Sequence, residues 1–139
     1  MEWMLSDLNW WAIIGATVST FVVGGLWYSE QLFGKQWGKL VGMTVKEMNK
    51  PEGMGKRYGM AGVASFITAV VLANLLHATG TVDWADGLVL GAVLGLAFRM
   101  GAHVIHNSFA KKSETLTFID GAHDIVSMAV MGAILANWL

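Results

Sequence analysis

Apolar residues in this chain gather into four long blocks, and the segments between them hold most of the charge. The first block, Leu8 to Tyr28, reads LNWWAIIGATVSTFVVGGLWY without a charged residue; Tyr58 to Thr79, Gly87 to Phe109 and Thr117 to Trp138 follow. At about 1.5 Å rise per residue, each block is long enough for a hydrocarbon core near 30 Å. Backbone polar groups facing lipid must be satisfied within their own segment, so the pattern predicts helices. The expected fold is all-α: a four-span transmembrane bundle forming one integral membrane domain over residues 1–139. The first block is expected to be retained rather than cleaved as a signal peptide. Its leader, MEWMLSD, carries Glu2 and Asp7 with no Lys or Arg, and no A-x-A pattern follows.

Basic residues fix an expected orientation. Lys35, Lys39, Lys46, Lys50, Lys56 and Arg57 lie between the first and second spans, Lys111 and Lys112 between the third and fourth, and the other segments outside the spans have none. The positive-inside rule makes those two loops cytoplasmic and puts both termini outside. Trp10, Trp11, Trp84 and Trp138 then mark the outer interface, and Trp27, Tyr28, Trp37 and Tyr58 the inner one. A composition of 55% hydrophobic and 14% charged residues excludes an ordinary soluble domain. The net charge of −1 conceals the loop asymmetry and points to no nucleic-acid partner; the expected partner is the lipid bilayer. With no cysteine, disulfides and thiolate sites are excluded, and any metal site must use N and O ligands.

In the long basic loop, Phe33, Trp37, Leu40 and Val41 recur at helical spacing opposite Lys35, Gln36 and Lys39, which predicts a short interfacial helix held near anionic lipid. Thr44 and Glu47 have capping-box spacing for a second small helix, ended by Pro51, Gly53 and Gly55.

The candidate chemistry is the charge inside the last two spans: Arg99, His103, His106, Asp120, His123 and Asp124. A central Arg or Asp costs about 2.5–3.5 kcal/mol on insertion scales, so such groups pair or line a polar cavity. Counted from Gly87, Arg99 lies about 18 Å deep, His103 about 24 Å and His106 about 28 Å. Counted from Thr117 in the other direction, Asp120 lies about 5 Å, His123 about 9 Å and Asp124 about 10 Å from the basic side. Arg99 is expected to meet Asp124, with the others in neighbouring layers. At 100° per residue each set occupies one face, an arc of about 60° on the third span and about 100° on the fourth. The short connection from Ala110 to Leu116 makes these spans antiparallel neighbours. Gly87, Gly91 and Gly95 form a small-residue seam that permits close helix approach and also fits self-association, with a dimer favoured.

Three readings of the cluster compete. It acts as an ion pair that fixes hairpin register in a membrane scaffold. It binds a divalent metal through His103, His106, Asp120 and His123, although Arg99 would oppose a cation. It forms a proton or ion path in a channel- or transporter-like protein with an ion or small molecule as substrate, Arg99 tuning the aspartates. A haem between His103 and His123 is disfavoured, because adjacent helices about 8–10 Å apart leave too little room. No nucleophile elbow, Walker loop, dinucleotide fingerprint or H-E-x-x-H occurs, so an enzyme is the weaker class.

The segments GGLWYSEQLFGKQWGKLVGM, from Gly24, and HNSFAKKSETLTFIDGAHDIVSMAVMGAILA, from His106, resemble the bacterial domain-of-unknown-function family numbered seventeen sixty-one. Trp27, Tyr28, Phe33, Gly34 and Trp37 match its most specific motif; where the family often has Pro after the W-Y, this chain has Ser29 and Glu30. The resemblance implies a small four-helix bacterial membrane protein and brings no established activity; the expected location is the bacterial inner membrane. Read from the residues, the motif aromatics are interfacial anchors.

Overall fold

The computed structural model describes residues 5–48 and 50–138. Glu2 of the leader lies outside the described residues. The helices are α1 (Trp10–Trp27), α2 (Gly34–Val41), α3 (Val45–Met48), α4 (Met54–Thr79), α5 (Trp84–Leu94), α6 (Gly101–Phe109) and α7 (Glu114–Trp138), with a π-helical turn, Gly95–Met100, joining α5 to α6. Four helical stretches, α1, α4, Trp84–Phe109 and α7, are long and apolar enough to cross a membrane. The chain is a multi-pass membrane protein of the all-α class.

Local chemistry sets the helix ends. The Asn9 side-chain oxygen accepts from the N–H groups of Trp11 and Ala12, and its amide donates to the Trp138 carbonyl at 2.9 Å, tying the start of the first span to the end of the last. Asp83 caps α5 by accepting from the Ala85 N–H at 2.8 Å. Thr44 and Glu47 form the reciprocal capping box: the Glu47 carboxylate accepts from the Thr44 N–H and hydroxyl, and the Thr44 hydroxyl accepts from the Glu47 N–H. α2 ends at Gly42, whose φ of 72° is the left-handed stop that glycine adopts without strain.

α7 is the central helix and packs against α1, α4, α5, the π turn and α6. At the end away from the basic loops, Ile13, Leu72, Leu76, Met131 and Leu135 are fully buried and form a solid apolar core. Outward faces are apolar too. Trp11, Ile14, Val18, Val22 and Leu26 recur every three or four residues along α1 and are exposed, as a lipid-facing stripe should be.

The glycine seam is consumed within the chain. A methyl group added at Gly87 would strike the Gly132 carbonyl, one at Gly91 the Met128 carbonyl, and one at Gly95 would lie 2.9 Å from Ile125 Cα. Because α5 presses its glycines onto α7 backbone, the seam is unavailable for the expected self-association. That expectation loses its basis.

Candidate functional site

Asp124 collects three cationic or imidazole partners on the inward side of α7. His103 Nε2 lies 3.2 Å from Oδ2, His123 Nδ1 lies 3.0 Å from Oδ1, and Arg99 Nε lies 3.8 Å from Oδ2. His123 continues the chain, with Nε2 3.3 Å from the Ser127 hydroxyl. An ionised carboxylate only accepts, so His123 donates from Nδ1 and its Nε2 accepts from Ser127 when the ring is neutral. One short chain of bonds therefore runs from Ser127 through His123 to Asp124 and on to His103.

The π turn carries Arg99. A widened turn changes the phase of the helix relative to a straight 3.6-residue count, and such bulges often sit at functional positions. The Arg99 side chain is 43% exposed, approaches Asp124 through Nε, and makes no hydrogen bond from its two terminal nitrogens among the described residues. Asp124, by contrast, is 20% exposed.

Asp120 departs from the expected arrangement. It joins no layer with the third-span histidines: its Oδ1 accepts from the Tyr28 hydroxyl at 2.7 Å and from Trp37 Nε1 at 2.9 Å. Trp27 Nε1 donates to the Ile119 carbonyl at 3.0 Å. The reason is neighbourhood: α1 and α2 pack on α7 one turn nearer the basic end than Asp124, so the donors that reach Asp120 belong to the W-Y and F-G-K-x-W segments. The motif aromatics Trp27, Tyr28 and Trp37 thus clamp α7. Phe33 packs against Trp27 with the rings tilted at 37° and centroids 4.8 Å apart. Gly34 is required, since a side chain there would collide with the carbonyls of Tyr28 and Ser29.

His106 also departs from the expectation. It is exposed on α6 and takes no part in the Asp124 contacts. At the same level the inward position belongs to Asn107, which is buried and donates to the Thr117 hydroxyl at 3.0 Å. With His106 turned away and Asp120 held by Tyr28 and Trp37, the ligand set His103, His106, Asp120 and His123 does not converge. Among the described residues no group of three or more His, Cys, Asp or Glu side chains is arranged to hold a metal ion.

A cavity of about 960 Å³ opens beside Asp124 in the half of the bundle nearer the basic loops. α1, α4 and α7 wall it, with Gly24, Ser65, Asp124 and Ser127 among the lining residues, and Arg99 reaches it from the third span. The Gly24-Gly25 pair makes room: a methyl at Gly24 would sit 3.4 Å from His123 Nε2, and one at Gly25 would meet nothing within 4 Å. Tyr58, expected at the inner interface, shares the cavity wall with Ser65 and Thr20. Their common place on a cavity wall follows from how α1 and α4 splay, which periodicity does not encode.

The family described as "Protein of unknown function (DUF1761)" matches residues 11–136, a stretch that includes every residue of this site. The chain belongs to DUF1761. No curated protein and no solved structure matches it.

Proposed function

We propose that this DUF1761 protein is a transporter-like carrier of protons, in which Asp124 takes up and releases a proton through His123, His103 and Ser127. The observation that carries the reading is a carboxylate within a membrane-spanning helix, bonded to two imidazoles, on the wall of a cavity. An imidazole can donate from one ring nitrogen while it accepts at the other, so the chain from Ser127 to His103 is suited to proton exchange with water in that cavity. Arg99 repels any cation at the same point, and a divalent metal twice as strongly as a single positive charge at the same distance, so the arrangement disfavours a divalent metal. The basic loops face the cytoplasm of a bacterial inner membrane by the positive-inside rule, so the cavity is the cytoplasmic entry. The apolar core around Leu72, Leu76, Met131 and Leu135 closes the other half, and transport therefore proceeds by a conformational change rather than through an open pore.

Protein reconstituted in vesicles with an internal pH dye tests this. An imposed membrane potential drives proton flux through the wild type, and Asp124→Asn and His123→Ala abolish it.

A second reading is architectural, and one observation favours it: the partners of Asp124 all come from the last hairpin, so the cluster also pins the third span to the fourth. Exchanging Arg99 and Asp124 separates the two. Restored folding with lost flux supports the carrier; a wild type that moves no protons and a fully functional swap support the pin.

A further inference from the structure

The cavity has more room than a proton needs, and its chemistry is uneven. Its walls are mainly apolar: Phe21 and Tyr58 face one another with ring centroids 6.0 Å apart, and Met43, Met48 and Met54 add flexible thioether surface toward the basic end. Against this stands Arg99, whose terminal guanidinium nitrogens make no hydrogen bond among the described residues. Arg57, also on the lining, is a second cation near the mouth. The carboxylates on the wall are engaged elsewhere. Glu30 pairs with Lys35 at 3.6 Å, and Asp124 is shared among Arg99 Nε, His103 and His123.

We infer that the cavity binds an amphiphilic monoanion, its acid group on the free edge of the Arg99 guanidinium and its apolar body along Phe21, Tyr58 and the methionines. A guanidinium presents paired N–H donors that match a carboxylate or a phosphate oxygen pair, and the approach of Asp124 to Nε at 3.8 Å leaves the terminal donors without a hydrogen bond. The volume fits a ligand of drug or short-lipid size, as pockets of roughly 300–1,000 Å³ do. Two sources supply this chemistry: a free fatty or aromatic carboxylate, and the phosphate of an anionic phospholipid from the adjoining leaflet. The inference does not depend on proton handling, but the two are linked through Asp124. When Asp124 is neutral, Arg99 is released to the anion.

Native mass spectrometry of the detergent-solubilised full chain, titrated separately with dodecanoate and with phosphatidylglycerol, distinguishes the sources by adduct mass. The expected result is one saturable adduct per chain, weakened tenfold or more by Arg99→Gln, weakened several-fold by Ala64→Trp, which narrows the cavity without altering charge, and tightened several-fold by Asp124→Asn. A dodecanoate adduct identifies a free acid as the occupant, and a phosphatidylglycerol adduct identifies the lipid. Should Arg99→Gln fail to fold, Ala64→Trp still decides the matter. Adducts that survive Ala64→Trp undiminished, or no saturable adduct with either probe, would overturn the inference. Loss of proton flux in Asp124→Asn with tighter anion binding leaves both readings standing; absent flux with intact, Arg99-dependent anion binding removes only the carrier.

Discussion

Trp37 and Asp120, separated by 83 positions, are joined by an indole N–H donating to a carboxylate at 2.9 Å. The same oxygen accepts from Tyr28 at 2.7 Å, so a single carboxylate fastens both the end of α1 and the amphipathic helix α2 to the central span. Hydrogen bonds to a charged acceptor contribute about 1.5–3 kcal/mol each, and two donors on one oxygen are not independent. Trp37→Phe and Tyr28→Phe should each lower the detergent unfolding temperature, and the double variant should lose measurably less than the sum. Additive losses would mean that Asp120 does not join the two donors.

A contrast between two glycines tests the packing of the central helix. Gly91→Ala drives a methyl into the Met128 carbonyl and should destabilise by about 1–3 kcal/mol, the range for overpacking. Gly25→Ala meets open space and should be neutral or stabilise by about 0.5–1 kcal/mol through helix propensity. Thermal unfolding of both variants checks the pair. Equal effects would contradict the close approach of α5 to α7.

Much of this was readable from residue order. Block lengths of about twenty give the four spans, and the Thr44-x-x-Glu47 spacing gives the capping box that the bonds display. Depth counting places Arg99 level with Asp124, and the two meet at 3.8 Å. Less was readable where a contact depends on how helices splay. Asp120 and Asp124 share a face of α7, yet one turn separates two sets of donors, and only the packing of α1 and α2 decides that Asp120 goes to Tyr28 and Trp37. His106 falls within the arc of a straight helix; the π turn at Gly95–Met100 breaks that phase. Nothing in a hydropathy pattern marks a widened turn.

Coupling within the hairpin is measurable by a double-mutant cycle. Arg99→Gln leaves Asp124 with imidazoles alone, and Asp124→Asn leaves Arg99 with cavity water. Each single change should destabilise, and the double variant should recover part of the loss, giving an interaction energy of about 0.5–3 kcal/mol. Chemical unfolding in mixed micelles reads it. Strict additivity would indicate that the 3.8 Å approach carries no energy.

The capping box gives a pH dependence with a definite sign. Hydrogen bonds from the backbone N–H and hydroxyl of Thr44 hold the Glu47 carboxyl below its usual range. A lowered folded value means the contribution is present above the unfolded value and is lost as pH falls through the folded one. Amide-exchange protection of Thr44, which donates to Glu47, should therefore fall on acidification below the ordinary carboxylate range, and Glu47→Gln should remove that step. A step unchanged in Glu47→Gln would assign it to another group.

Water access to Asp124 from the basic end is the condition on which proton exchange rests, and the absence of cysteine makes it directly measurable. Single cysteines at Ala64 and Ser127 on the cavity wall, and at Ala73 in the apolar core, are the sole thiols in their chains. In inside-out vesicles a membrane-impermeant thiol reagent should label Ala64→Cys and Ser127→Cys and spare Ala73→Cys, with little labelling in right-side-out vesicles. Protection of the two cavity positions in inside-out vesicles, or equal labelling from both sides, would contradict a cytoplasm-facing proton site.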